Sequence, residues 1–194
     1  MIQAIIFDCF GVVISDALEV LSAELRKKDP ETARQVRDVV QASNRGMVAP
    51  AEASRQIAEL LGFSYEQYRQ HIADGELKNA ELLAYIGELK AQYKIGMLSN
   101  IGMGGLARRF ELGELERYFD VVVASGDIGY AKPEAEAYEI TADRLGVRLD
   151  ECVFTDDREG YCEAARGVGM QAILYKDLDQ FRTDLETLLS LRGA

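Results

Sequence analysis

The stretch Ile5-Ile6-Phe7-Asp8-Cys9-Phe10-Gly11-Val12-Val13 decides how the rest of this chain is interpreted. Its first three residues form an apolar run without polar alternation, which is typical of a parallel strand covered on both faces. Asp8 stands at the carboxyl end of that strand, and a buried carboxylate there needs a cation or hydrogen-bond donors. Ligands of open α/β sheets bind at this edge. An aspartate that caps the following turn is the alternative from this segment alone.

The composition excludes several classes of protein. The 194 residues are 48% apolar and 28% charged, which fits one domain, or a core with a modest insertion, and argues against global disorder. The net charge of −11 argues against nucleic acid and anionic membranes as partners, because both are bound through basic patches. No basic leader and no apolar run of membrane-spanning length is found, so we expect a cytoplasmic protein.

Two blocks of different periodicity follow one another along the chain. Between about residues 16 and 75 there is no strand signal, and four short amphipathic patterns predict a small helical bundle. After residue 79, apolar segments alternate with helical patterns, which predicts a parallel α/β sheet. We therefore expect a core of residues 1–15 and 79–194 and an inserted helical cap of residues 16–78. The predicted strands are Ala4–Phe7, Lys94–Leu98, Phe119–Val123, Cys152–Phe154 and Met170–Leu174.

Polar residues follow four of these strands. They are Asp8, the pair Ser99-Asn100, Lys132, and the pair Asp156-Asp157. Each has an ordinary interpretation when taken alone, such as a helix cap or a solvated lysine. Because the carboxyl ends of parallel strands meet at one edge of a sheet, we expect these side chains to converge there.

Three converging carboxylates repel one another unless a cation lies between them. The oxygen donors of Asp8 and Asp157, with the backbone carbonyl of Phe10, suit Mg²⁺. Asp156 is expected to orient water on the metal from outside its coordination shell. Asp8 would then be free to attack phosphorus and form an aspartyl-phosphate that water hydrolyses.

Two further groups complete this predicted phosphate site. Lys132 is a point charge that can neutralise both Asp8 and an incoming phosphate. The Ser99 hydroxyl, together with backbone N–H groups at the start of a following helix, is expected to cradle the phosphate oxygens. Asn100 is assigned to the same phosphate-binding turn.

The chain resembles the haloacid dehalogenase-like hydrolase superfamily, in its capped-phosphatase branch. The matching segments are Ile5–Val12, Leu98-Ser99-Asn100, Lys132-Pro133 and Phe154–Asp157, the last followed by Ala164-Ala165 and Gly169-Met170. The resemblance implies a Rossmann-like core, a five-stranded parallel sheet with helices on both faces, and a four-helix cap inserted after the first strand. It also implies a Mg²⁺-dependent phosphatase acting on a small phosphorylated metabolite. Monomer and homodimer both stay open.

The resemblance also implies roles for single residues. Asp8 matches the family's nucleophile, Ser99 its phosphate-binding hydroxyl, Lys132 its motif lysine and Asp157 its metal ligand. The segment from Arg45 to Pro50 is similar to the cap turn that faces the active site in this branch. Arg45 is therefore a candidate for substrate contact, with a solvated surface arginine as the alternative.

One position departs from the family pattern. Phosphatases of the family usually carry a second aspartate two residues after the nucleophile, as acid for the leaving group and base for water, and Phe10 stands here instead. Loss of a positioned acid/base typically costs about 10²–10⁴ in rate. We therefore expect a slow enzyme that favours acyl and aryl phosphates over alkyl phosphates.

Phe10 also keeps two other functions open. A metal-independent 2-haloacid dehalogenase is one, because dehalogenases of this superfamily carry an aromatic residue at that position. The Asp156-Asp157 pair speaks against it, since it would place unneutralised charge beside the nucleophile. The other is a non-catalytic homologue that binds a phosphometabolite or a protein.

Overall fold

A five-stranded, fully parallel sheet forms the centre of the molecule in the computed structural model, which describes residues 1–190. The strands are β1 (Ala4–Phe7), β2 (Lys94–Ser99), β3 (Val121–Ala124), β4 (Cys152–Asp156) and β5 (Gln171–Leu174). They lie in the order β3-β2-β1-β4-β5, so β1 is central. This arrangement confirms the predicted α/β fold class.

Helices surround the sheet and also form the insertion after β1. Within residues 1–190 they are α1 (Ala17–Lys28), α2 (Pro30–Asn44), α3 (Pro50–Leu60), α4 (Tyr65–Gly75), α5 (Ala80–Leu89), α6 (Glu114–Tyr118), α7 (Ser125–Ile128), α8 (Ala135–Leu145), α9 (Glu159–Gly167) and α10 (Leu178–Ser190). Helices α1 to α4 form the cap between β1 and α5. No helix in this described range is long and apolar enough to cross a membrane. The predicted cap limits of residues 16 and 78 stay a prediction.

Residues of β1 point alternately to two apolar layers. Ile5 and Phe7 pack in one cluster with Phe181 of α10 and with α5, while Ile6 packs in the other with Phe154. All four β1 residues are fully buried. A strand covered on both faces must be apolar throughout, which explains the unbroken run that opens the chain.

The cap has its own small core and touches the sheet domain at loops. Val36, Ile57 and Tyr68 are buried in it. Where the turn between α2 and α3 meets the core, Ser125 Oγ donates to the Asn44 carbonyl at 2.5 Å. A Cβ added to Gly46 would lie only 3.0 Å from the Gly126 carbonyl oxygen, so the two loops approach closely.

The sequence prediction was wrong in some local details. The sequence predicts a helix that follows Ser99, but only one 3₁₀ turn forms in that segment, at Leu106–Arg108. The short helices α6 and α7 were not foreseen, because segments of five and four residues carry no periodic signal. Ser99 and Asp156 lie within the strands and not after them, since each still pairs with its neighbouring strand.

Candidate active site

Two buried carboxylates and a buried lysine meet at the carboxyl edge of the sheet. Lys132 Nζ lies 2.7 Å from Asp8 Oδ1 and 2.6 Å from Asp156 Oδ2. The exposed fractions of these side chains are 1%, 8% and 0% for Lys132, Asp8 and Asp156. The carboxyl edge of the sheet therefore brings Asp8 and Asp156 together with Lys132, which lies in the loop after α7 and not directly at the end of β3.

Backbone contacts hold these side chains in place. The Asp8 N–H donates to the Thr155 carbonyl at 2.9 Å, so the pairing of β1 with β4 continues to the residue just after β1. The Asn100 side chain makes two hydrogen bonds to the backbone of Lys132. Its Oδ1 accepts from the Lys132 N–H at 2.9 Å, and its Nδ2 donates to the Lys132 carbonyl at 2.8 Å. Asn100 thus positions the lysine through its backbone.

The third carboxylate supplies the argument for a metal. Oxygen atoms of Asp8, Asp156 and Asp157 lie within 4.8 Å of one another. Asp157 Oδ1 is buried and has no hydrogen-bond partner among residues 1–190. A buried carboxylate oxygen without a partner is costly, and hard oxygen donors are the ligands that Mg²⁺ prefers. The residues therefore fit a divalent cation. The metal role of the Phe10 carbonyl stays a prediction.

The electrostatics of the cluster support the same conclusion. Burial raises the pKa of Asp8 to about 7, and Asp156 adds to this rise while Lys132 opposes it. Burial, with the neighbouring Asp156 charge, raises the pKa of Asp157 to about 6. Burial by itself would lower the pKa of Lys132, but its two carboxylate partners outweigh that effect and raise it. One lysine thus leaves the acids short of positive charge.

Ser99 is fully buried at the end of β2, and its Oγ has no hydrogen-bond partner within the described chain. An unsatisfied buried hydroxyl costs about 1–3 kcal/mol, so an oxygen of a bound ligand would relieve it. The expected helix start beside Ser99 is absent, because the 3₁₀ turn begins only at Leu106. The role of Ser99 in phosphate binding stays a prediction.

A cavity of about 660 Å³ lies between the cap and this edge of the sheet. Asp8, Phe10, Asn100 and Lys132 form part of its core wall, and apolar cap residues such as Val36 and Ile57 form part of the opposite wall. Although the chain carries a net charge of −11, basic residues outnumber acidic ones in the lining. The basic lining residues are Arg26, Arg34, Arg37, Arg108, Arg109, Lys132 and Arg158, and the acidic ones are Asp8, Asp16, Glu19 and Glu76. The cavity therefore suits an anionic ligand.

Arg45 lies elsewhere. Its guanidinium is about half exposed, pairs with Glu134 at 3.3 Å and does not line the cavity. Sequence reasoning singled out neither Arg109 nor Arg158, which do line it. Arg158 pairs with Asp16 and with Glu19 of the cap, each at 3.3 Å. Both arginines follow predicted site residues in the sequence, since Arg158 comes directly after Asp157 and Arg109 lies in the loop after Ser99. Neither position, however, belongs to a sequence pattern that predicts a contact with the cap.

Comparison with known proteins shows the family to which the chain belongs. A family model described as haloacid dehalogenase-like hydrolase matches residues 2–169. The chain belongs to this family of hydrolases.

Curated relatives match over shorter segments. Phosphatase MT3486 of Mycobacterium tuberculosis is 38% identical over 102 residues, which cover 52% of this chain and 47% of that protein. Fructose-1-phosphate phosphatase YqaB of Escherichia coli is 37% identical over 59 residues, which cover 30% of this chain and 31% of that protein. The chain therefore spans less than half the length of these relatives.

Solved structures share the fold across nearly the whole chain. The family enzyme bt-2542 of Bacteroides thetaiotaomicron, in complex with magnesium and inorganic phosphate, gives a TM-score of 0.73 at 23% identity and covers 91% of this chain and 95% of that one. The L-2-haloacid dehalogenase of Xanthobacter autotrophicus gives a TM-score of 0.60 at 17% identity, covering 96% of this chain and 83% of that one. At these identities the likeness concerns the fold alone.

Proposed function

We propose that this hydrolase is a Mg²⁺-dependent phosphatase that acts on a small phosphorylated metabolite through an aspartyl-phosphate on Asp8. The observation that carries the proposal is the buried Asp157 oxygen, which has no hydrogen-bond partner among residues 1–190 and lies beside the Asp8–Lys132–Asp156 cluster. With Asp157 the site holds three carboxylates and one lysine, so two negative charges are left for a divalent cation to balance. The curated relatives named as phosphatases support the same class of reaction. A cytoplasmic location and a monomer or homodimer are part of the proposal.

Asp8 has the position and the support that a nucleophile requires. In the proposed reaction an Asp8 carboxylate oxygen forms a bond to phosphorus, and the bond from phosphorus to the leaving-group oxygen breaks. Lys132 balances charge on Asp8 and on the phosphoryl oxygens, and the buried Ser99 hydroxyl donates to one of those oxygens. Asp8, Asp157 and the Phe10 carbonyl would hold the Mg²⁺, with Asp156 orienting its water, and the ion would supply charge neutralisation for the phosphoryl group. Water then hydrolyses the acyl phosphate and restores Asp8.

Phe10 leaves this reaction without the acid/base aspartate that the family usually places there. The leaving group must depart without a proton from that position, so the proposed enzyme is slow on alkyl phosphates. The dehalogenase alternative is disfavoured by three carboxylates around one lysine, because an uncompensated negative cluster hinders ionisation of the nucleophile. A non-catalytic binding protein is separated from the phosphatase by the following test.

The test measures phosphate release from an aryl phosphate with and without Mg²⁺. We expect Mg²⁺-dependent turnover in the wild-type chain and a loss of at least about 10³-fold in Asp8→Asn, which keeps the shape of the side chain but removes the nucleophile. The control is Asp38→Asn on the exposed face of α2, which should leave turnover unchanged. Chloride release from a 2-chloro acid without metal would instead support the dehalogenase. Phosphate binding without any turnover would support the non-catalytic homologue.

A further inference from the structure

Arg109 links the core loop after β2 to the end of the cap. Its Nη2 donates to Glu76 Oε1 at 2.6 Å, just after α4, and its Nη1 donates to the Gly105 carbonyl at 3.0 Å. Its Nε is buried and has no hydrogen-bond partner among residues 1–190. Three of the five guanidinium N–H donors are therefore without a protein acceptor in the described chain.

The same guanidinium lies over the residue that replaces the family's acid. Arg109 Cζ is 5.0 Å from the centre of the Phe10 ring, a distance typical of a cation–π contact. Arg109, Phe10 and Asp8 all line the cavity. A positive charge with spare donors thus lies against Phe10 in the wall of the cavity that Asp8 also lines.

We propose that, in the phosphatase reaction proposed above, Arg109 contacts the leaving-group oxygen and stabilises the negative charge that develops there. An arginine does not give up a proton in proteins, so this residue compensates for the missing acid by charge and hydrogen bonds, without protonating the leaving group. The substrate class follows: phosphates whose leaving group departs as a stabilised oxyanion, namely acyl, enol or aryl phosphates.

The step balances without a proton donor. The Asp8 carboxylate forms the new bond to phosphorus, and the electron pair of the broken P–O bond stays on the leaving oxygen. The oxyanion accepts hydrogen bonds from Arg109 until it leaves, and solvent protonates it if it is basic enough. The inference rests on the proposed function, because it names the group that meets the leaving group of that reaction.

The alternative role of Arg109 is structural, as a strap that holds the cap to the core through Glu76. The two roles predict different dependences of the reaction rate on the acidity of the leaving group. We would measure kcat/KM with Mg²⁺ for a series of aryl phosphates from strongly to weakly acidic phenols, for the wild type, Arg109→Gln, Arg109→Lys and Glu76→Gln. The Glu76 variant weakens the strap, since an amide oxygen still accepts a hydrogen bond but the ion pair is lost, and it keeps the arginine.

We expect Arg109→Gln to lower kcat/KM by about 10²-fold for the phosphate of the least acidic phenol and far less for that of the most acidic one. The dependence of kcat/KM on the acidity of the leaving phenol therefore becomes steeper. Arg109→Lys should fall between, and Glu76→Gln should keep the wild-type slope. Parallel lines for all variants, with equal losses in Arg109→Gln and Glu76→Gln, would overturn the inference and leave the phosphatase intact. A wild-type chain without turnover on any of these phosphates would overturn the proposed function as well.

Discussion

Phe10 is the residue on which the character of this site depends most. It is half-buried, lines the cavity and contacts Arg109 with its ring, two positions after the nucleophile. A phenyl ring can neither donate a proton nor accept one, so the proposed reaction has no acid/base at the place where the family usually has it. Arg109, which lies over the Phe10 ring, is our candidate for the group that takes over part of this missing role.

Phe10→Asp should restore the missing proton transfer. We expect turnover of an alkyl phosphate to rise by about 10²-fold, at the low end of what a positioned acid/base contributes, because Arg109 competes for the new carboxylate. Turnover of aryl phosphates should change little, since their leaving groups need no proton. Phosphate release measures both rates, and Phe10→Asn is the control that matches size without an ionisable group. Equal gains in both variants would show that space, not proton transfer, limits the rate.

The turn between β1 and the cap is the element that shapes the proposed metal site. Gly11 has φ +87°, a left-handed conformation that other residues rarely adopt. A Cβ added at Gly11 would collide with Asp157 Oδ2 and lie 2.5 Å from its Cγ. The glycine is therefore needed twice, once for the backbone turn and once for the room that the Asp157 carboxylate occupies.

Gly11→Ala should displace Asp157 and weaken Mg²⁺ binding. We expect a loss of stability of at least about 1–2 kcal/mol from the left-handed backbone, and a smaller rise in melting temperature on adding Mg²⁺ than in the wild type. Thermal unfolding at several Mg²⁺ concentrations measures both effects. Gly113→Ala is the matched control, because Gly113 has φ +80° and open space around its added Cβ, so only the strain should appear. An unchanged Mg²⁺ response in Gly11→Ala would contradict the proposed role of Asp157.

At the scale of the whole molecule, the buried acids link stability to pH and to metal. The pKa of Asp8 is raised to about 7 and that of Asp157 to about 6, from an ordinary value of 3.8. Between about pH 4 and pH 7 the folded chain thus holds protons that the unfolded chain has released. The free energy of unfolding therefore falls as pH rises through this window when no divalent cation is present.

Mg²⁺ should remove this pH dependence, because a cation between the carboxylates favours their ionised form. Asp157→Asn should also reduce it, by about 1 kcal/mol once solvent screening of this partly exposed carboxyl group is considered. Urea unfolding at pH 5 and pH 7, with and without Mg²⁺, measures the effect. Glu163→Gln, at an exposed acid on α9, should leave the pH dependence as it is. A wild-type dependence that Mg²⁺ does not alter would argue against the shared metal site.

Local patterns in the sequence were enough for the fold and for most of the site. The unbroken apolar run of β1, the strand–helix alternation after residue 79 and the four polar strand ends predict a parallel sheet with Asp8, Lys132 and Asp156 at one edge. This works because strand polarity and side-chain alternation are local properties that place strand ends together in any parallel sheet. The short helices and the 3₁₀ turn after Ser99 escaped prediction, since segments that short carry no period.

Only the tertiary structure revealed what the cap brings to the site. The contact of Arg109 with Phe10 and Glu76 joins residues 33 to 99 positions apart, and no spacing in the chain encodes it. The same holds for Arg45, a candidate for substrate contact, which pairs with Glu134 where the cap meets the core. The sequence by itself determined which chemistry stands at the sheet edge. Packing of the cap against the core decided which cations face it, because contacts between distant surfaces depend on shape and not on local pattern.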